Sequence, residues 1–390
     1  MRPYIIRDIG FILVIIAISL FNPCLFGCKG TSSPAPKKTK EVRKLLPIKK
    51  DGKWGYIDKT GKIVIKPQFE YAYNFSEGLA VIGKGRKTSY SCERYGYIDE
   101  NGEIVIETIF DYATPFHNGL AEVEINKNWG VIDKRGEWVI KPLFHFLGEF
   151  SEGLALAKVA ENEKYCYIDK FGTIVIKPQD WGWVQSFSEG LARIEMRGYG
   201  QKGKQGYIDK TGKIVIEPQF EEARCFSEGL AAVYLGYDKG YAYIDKTGSV
   251  VMKPKISPGE EVGETGDFSE GLAWVSVWDS KRSDKKYGYI DKTGQFVIKP
   301  QFDGVLDEYN YEYNFKSSNF SEGLAFVGLG EKAHCIDKQG NIVITLEYPA
   351  VGSPFSGGVA QITVGPPSPS EDEKIGYIDK TGKYIWEPTE

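Results

Sequence analysis

Histidine and methionine are scarce in this 390-residue chain, three of each, and cysteine occurs only six times. His117, His145 and His334 lie far apart, and no His-Glu-x-x-His or Cys-x-x-Cys spacing gathers ligands, so no metal site is expected. No Gly-x-Ser-x-Gly elbow offers an activated serine. Charge of one sign is missing as well. The 53 acidic and 49 basic side chains leave a net charge of −4 and no basic face for a phosphate backbone, so nucleic acid is not an expected partner. Long Ala and Leu stretches are few, which leaves little for helices. What the chain does have is 24 Tyr, 21 Phe, 8 Trp and 45 Gly. Tyr, Phe, Val and Ile interrupted by frequent Gly predict many short β-strands joined by tight turns.

One unit recurs along most of the chain. It opens Trp54-Gly55-Tyr56-Ile57-Asp58-Lys59-Thr60-Gly61 and ends Phe75-Ser76-Glu77-Gly78-Leu79-Ala80. Its aspartate returns at Asp99, Asp133, Asp169, Asp209, Asp245, Asp291, Asp337 and Asp379, about forty residues apart. Its second landmark begins again at Phe116, Phe150, Phe187, Phe226, Phe268, Phe320 and, degraded, Phe355. The count is eight units and a ninth half-unit. Asp58 at the first turn position and Gly61 at the fourth suit a type I turn closed by a glycine bulge, the carboxylate accepting backbone N–H groups. All nine aspartates are assigned that structural role. Pro67 ends the second strand of the hairpin. Ile63-Val64-Ile65 is apolar at successive positions, which predicts a strand buried on both faces and units that stack. Trp54, Tyr95, Trp129, Tyr165, Tyr241 and Tyr287 share one slot and are expected to pack between units.

The N-terminus carries a different signal. Arg2 and Arg7 precede an apolar stretch from Ile9 to Phe21, whose thirteen residues fall short of the roughly 20 a spanning helix needs. Leu25-Phe26-Gly27-Cys28 resembles the lipobox of bacterial lipoproteins, with Phe26 bulkier than the usual residue. That resemblance implies a signal peptide over 1–27, and acylation of Cys28 by lipid of the palmitate class. It also implies a membrane-anchored protein of the cell envelope, outside the cytoplasm. Residues 28–48, rich in Ser, Pro, Lys and Thr, are expected to be the lipidated cysteine and a flexible linker.

With Lys53-Trp54-Gly55-Tyr56-Ile57-Asp58, Gly61, Pro67 and Phe75 to Ala80 in register, residues 49–390 resemble the bacterial WG-containing repeat family. Gln205-Gly206, Tyr165-Cys166 and His334-Cys335 depart from the Trp-Gly pair. The family resemblance implies a predominantly β, often envelope-located protein and carries no catalytic residues. Four short strands per unit fit an all-β, propeller-like ring, with an open β-solenoid or superhelical array as the alternative. The surplus hairpin from Gly376 to Trp386 speaks for the open array, because a closed ring of eight whole units has no place for it.

Carboxylates repeated in every unit explain a fold rather than one reaction centre, so neither catalysis nor a cofactor is expected. Specific function belongs where the repeat is broken. Trp181 and Trp183, Trp274 and Trp278, and the insertion bearing Tyr309, Tyr311 and Tyr313 offer aromatic faces for stacking. The expected function is a non-catalytic envelope lipoprotein whose repeat surface binds a protein or glycan. The alternatives are a hydrolase-type enzyme on a propeller scaffold, marked by two carboxylates from different units facing each other across one pocket with raised pKa values, or a passive spacer, marked by a deletion without effect on binding.

Overall fold

The computed structural model describes residues 44–88, 91–161, 163–179, 181–196, 203–279, 284–304, 318–330, 332–346, 350–364 and 374–389. The signal segment, Cys28, most of the expected linker and Tyr309, Tyr311 and Tyr313 lie outside them. The chain divides into residues 1–41 and a compact unit over 42–390. Among the described residues that unit is all β, in nine sheets whose strands neighbour one another in sequence order. The nine sheets are the blades of a β-propeller.

Blade two shows the pattern, with strands Tyr71–Ala72, Leu79–Thr88, Ser91–Asp99 and Ile104–Phe110 paired antiparallel in that order. The repeat seen in the sequence is therefore out of phase with the blade. The hairpin around each aspartate supplies the last two strands of one blade, and Phe-Ser-Glu-Gly-Leu-Ala opens the next. This phase shift agrees with the propeller-like reading and removes the argument for the open alternative. The surplus hairpin, Lys374–Asp379 with Tyr384–Thr389, completes blade nine behind Ala350–Gly352 and Val359–Val364. Blade one lacks a landmark turn and takes its strand from Leu46–Lys50, which pairs with Lys53–Ile57. Leu46 faces Ile57 as Ala80 faces Ile98, so Leu45-Leu46-Pro47-Ile48 stands in for Leu-Ala-Val-Ile. The boundary placed at residue 49 is corrected accordingly: Leu45, Leu46 and Ile48 are fully buried.

Closure follows from that substitution. Leu46, Ile48 and Ile57 of blade one share a core with Val359 and Tyr377 of blade nine. The Tyr377 hydroxyl donates to the Pro47 carbonyl at 2.8 Å, and the Lys59 ammonium donates to the Gly357 carbonyl at 3.2 Å.

The same contacts repeat around the ring. The tyrosine before Ile-Asp reaches into the next blade, as in Tyr56 to the Tyr73 carbonyl at 2.8 Å, Tyr97 to Thr114 at 2.8 Å and Tyr207 to Arg224 at 2.7 Å. Burial raises these phenols far above their ordinary titration range, so they remain donors. Each hides a ring worth about 1.5–3 kcal/mol of apolar burial and satisfies a carbonyl that the seam would otherwise strand. The turn glycine of one blade lies against the last Ile of the preceding one: a Cβ on Gly102 would stand 3.1 Å from Ile65 Cγ2. That turn also holds Gly102 at φ +86°, which a larger residue adopts at a cost. Trp54 packs across its seam, 5.8 Å from Tyr71, as the shared slot predicts.

The Ile-Val-Ile strand departs from expectation. It is the edge strand of its sheet, so only its third residue is covered: Ile106 is buried while Ile104 is 50% and Val105 44% exposed. A run of apolar residues does not distinguish burial on two faces from burial on one.

Every aspartate turn is built as predicted. Asp58 Oδ1 accepts from Thr60 N at 2.8 Å, Thr60 Oγ1 at 2.6 Å and Lys62 N at 3.2 Å. The second turn is tighter than expected. Glu77 and Gly78 have φ of 52° and 87° between Ser76 and Leu79, the two left-handed residues of a type I′ turn. A left-handed glutamate costs about 1 kcal/mol, and its carboxylate offsets this by bonding to the next blade. Glu228 accepts from Gly271 N at 3.1 Å and pairs with Lys292 at 3.1 Å. Ser227 Oγ donates to the Phe268 carbonyl at 2.7 Å. Six such Glu–Lys pairs chain the turns together. Blade three has Asn118, also at positive φ, in the glutamate slot.

Two outcomes follow. Replacing Glu228 by Ala should destabilise the protein by about 1 kcal/mol or less, since the pair is partly exposed, and Glu228→Asn should cost less because Asn tolerates the left-handed region. Thermal denaturation of both variants checks the order; equal losses would contradict it. Hydrogen bonds from Thr60 and backbone amides lower the Asp58 carboxyl, and the landmark Glu77 is lowered chiefly by its bond from Lys134. Folded values below unfolded ones mean that this stability is complete above about pH 4 and fades as pH falls through the depressed values. Urea midpoints should therefore hold between pH 7 and 5 and drop sharply towards pH 3.

Candidate functional site

Antiparallel order sorts the connections onto two faces. In each four-stranded blade, the turns between strands one and two and between strands three and four lie on one face. The loops between strands two and three, and the links to the next blade, lie on the other. The first face repeats Ser-Glu-Gly and Asp-Lys-Thr-Gly turns almost unchanged. The second face varies, from the two-residue Asn126-Lys127 turn to the stretch between Met196 and Lys204. Recognition that differs from blade to blade can be built only where blades differ.

One irregularity lies in the seams of blades five, six and seven. A cavity of about 820 Å³ opens there, lined by Arg193, Gln205, Arg224, Thr265 and Asp267 among others. Its origin can be traced to one slot. The residue after Leu-Ala faces the seam and is apolar in most blades, as Val81, Leu156, Trp274 and Phe326. In blade five it is Arg193, and in blade six the small Ala232. Arg193 Nη1 donates to Gln205 Oε1 at 3.3 Å and to the Ala223 carbonyl. Gln205 Oε1 also accepts from Ala223 N at 2.6 Å. Gln205 occupies the slot held elsewhere by Trp54 and Trp129, so one departure from the motif supports the other.

Across the cavity, Arg224 Nη1 stands 3.8 Å from Asp267 Oδ2, and its guanidinium lies 5.5 Å from the Trp274 ring. Cys225 Sγ donates to Gln185 Oε1 at 3.0 Å, and Tyr241 Oη to Glu222 Oε2 at 3.4 Å. Burial raises the Asp267 carboxyl above the ordinary carboxylate range, against the pull of Arg224 and Arg193. Burial likewise raises the Cys225 thiol, and Tyr241 is pushed up to about 12. Three buried side-chain atoms find no hydrogen-bond partner among the described residues: Arg193 Nε, Thr265 Oγ1 and Asp267 Oδ1. All three belong to residues that line this cavity. The buried Glu122 in blade three, by contrast, accepts from Thr114 Oγ1 at 2.8 Å and Phe150 N at 3.3 Å.

The structure scatters the aromatic residues singled out by sequence. Trp183 and Trp278 are exposed by 54% and 41%, near the loop ends of blades five and seven on either side of blade six. Trp181 is half-buried against Tyr167, 6.3 Å between ring centres. Trp274 is corrected from surface binder to core residue: 5% exposed, it packs 5.9 Å from Tyr287 and supports Arg224. The nine aspartates sit in their turns. Cys166 and Cys335 are buried thiols, and His334 Nδ1 meets Thr345 Oγ1 at 2.9 Å. Sequence reasoning missed Arg193, whereas Thr265 and Asp267 fall at the end of an acidic insertion, Lys255 to Asp267, where the repeat is broken. For Arg193 the available signal was a charged residue in the slot after Leu-Ala, which is apolar in most blades and charged elsewhere only at Glu122.

The fold has distant likenesses among solved structures. Hsv2 of Kluyveromyces lactis is 8% identical, with 78% of this chain and 96% of that one covered at a TM-score of 0.37. A catalytically inactive virginiamycin B lyase from Staphylococcus aureus, solved with quinupristin, is 14% identical over 77% and 97% at 0.33. Prolyl oligopeptidase B from Galerina marginata is 11% identical over 82% of this chain and 50% of its own, at 0.41. No curated protein is significantly similar in sequence. The WG containing repeat matches seven times, over residues 54–87, 95–129, 129–165, 166–199, 206–237, 287–332 and 335–365, more than half the sequence, and the chain belongs to that family.

Proposed function

We propose that this chain is a non-catalytic binding protein of the bacterial cell envelope, held by lipid on Cys28 and presenting its variable face to a protein or glycan. The observation that carries the reading is the division of labour between the two faces. One face spends its polar groups on blade-to-blade contacts: its aspartates, glutamates and lysines are engaged in turns and seams. The other bears loops of unequal length, the exposed Trp183 and Trp278, and Tyr237 at 92% exposure. A tethered ring with one uniform and one variable face suits recognition away from the membrane. The tether rests on the lipobox-like Leu25 to Cys28.

The partner should be captured from envelope extract by the wild-type domain. Trp183→Ala and Trp278→Ala together should weaken that capture by at least about tenfold, as loss of aromatic anchors does. Glu228→Ala, on the uniform face, should leave it unchanged; equal loss in both would remove the assignment of faces. Cys28→Ser should abolish acylation, read by mass analysis of the N-terminal peptide, and release the protein from the membrane fraction. An unacylated wild-type chain retaining its leader would end the lipoprotein reading.

A further inference from the structure

We propose that two residues of this chain, Val42 and Arg43, seat in a groove between blades nine and two, and that the Arg43 guanidinium pairs there with the Glu100 carboxylate. The proposal concerns how the ring is sealed and does not depend on what the variable face binds. Among the described residues, blade one has three strands where blades two and nine have four. The place of its absent first strand and turn is a groove of about 570 Å³. The walls include Asn74, Phe75 and Glu77 of blade two, Ser353 and Gly357 of blade nine, and Lys44, where the described residues begin. The chain thus enters the ring at this groove. A neighbouring segment of the same chain reaches the site at a high effective concentration, which a second molecule has to outcompete.

Register then places the charges. Leu46 faces Ile57 as Ala80 faces Ile98, which puts Lys44 in the slot of Gly78, Arg43 in that of Glu77 and Val42 in that of Ser76. In six seams a glutamate in that slot pairs with the lysine after the turn aspartate of the following blade. Eight of the nine turn aspartates are followed by lysine, and the exception is Asp99-Glu100 in blade two. Blade two is the blade that a turn of blade one has to meet. Base and acid are therefore exchanged on both sides of one seam, and Glu100 lines the groove. Elsewhere the lysine also donates to the carbonyl of the glutamate slot, as Lys134 does to Glu77 at 2.9 Å and Lys380 to Glu322 at 2.8 Å. A carboxylate cannot donate, so Glu100 can hold such a turn only through a basic side chain, and the guanidinium fork suits it. Where the lysine is kept and the glutamate is not, at Gly357, Lys59 simply donates to the carbonyl. Ser76 adds a hydroxyl bond to the Phe116 carbonyl at 2.6 Å. Val42 has no hydroxyl, which leaves the link between blades one and two to the ion pair.

The test uses the full chain and hydrogen exchange read by mass spectrometry. Ser76 and Leu79 are joined by two backbone bonds of 2.9 and 3.1 Å, and Val42 and Leu45 are their counterparts. The Val42 and Leu45 amides should therefore exchange at least about tenfold more slowly than in a free peptide of the same sequence. Arg43→Glu and Glu100→Lys each bring like charges together and should speed that exchange about threefold. Combined, they recreate the Glu–Lys order of the other seams, and the double variant should exchange more slowly than both single ones. Glu103→Lys, on the same turn but off the groove wall, should change nothing. Near-ultraviolet dichroism checks that each variant is folded. Should a reversal unfold the ring, Arg43→Gln and Glu100→Gln replace it, and their double variant should exchange no faster than either alone; additive effects overturn the pairing. The proposal is also overturned if the wild-type amides exchange as fast as those of the free peptide, or if the double reversal is not slower than both single ones. Protection that grows with protein concentration would assign the groove to a second copy and overturn it too.

Discussion

A single blade of this protein cannot bury its own faces, and everything else in the fold answers that constraint. The three or four short strands of a blade form one sheet with two faces, so each blade completes its core against the next. The tyrosine before Ile-Asp does this most economically. Its ring fills the seam and its hydroxyl satisfies a carbonyl one blade on, as Tyr56, Tyr97 and Tyr207 do. The turn glycines let the hairpin settle onto the last isoleucine of the preceding blade. Because every seam needs two blades, two ends of an array would remain raw. The strand Leu46–Lys50 removes both ends by pairing into blade one while packing on Tyr377 of blade nine.

That same economy dictates where function can sit. Side chains spent on seams are not available for recognition, and the turn face is almost wholly spent. Polar residues that interrupt a seam are therefore informative. Glu122 enters the slot after Leu-Ala and is satisfied locally by Thr114 and Phe150. Arg193 enters the same slot two blades later and is only partly satisfied, while Ala232 in the following blade leaves space. One position in the repeat thus yields a closed polar contact in one seam and an open cavity in another. Whether the neighbours contribute enough hydrogen-bond partners decides which.

Much of this was legible from residues alone. Asp58 with Gly61 announced its turn, since few other pairs serve both the amide-accepting and the left-handed position. The shared slot of Trp54 and Tyr95 announced packing across seams. Other features were misread for identifiable reasons. Ile104-Val105-Ile106 looked buried throughout, yet the strand lies at a sheet edge, and edge position is not written in hydrophobicity. Trp274 looked like a free aromatic face because exposure depends on neighbours that the local sequence does not name.

By itself, then, the sequence determined the elements: strand, aspartate turn, glutamate turn and their recurrence, because backbone geometry and side-chain capping act within a few residues. Tertiary structure alone decided the phase of repeat against blade, the closure of nine blades by Leu46–Lys50, and the meeting of Arg193 with Thr265 and Asp267. Those outcomes depend on contacts between residues separated by one blade or by the whole ring. Chain order does not encode such distances until the seams have formed.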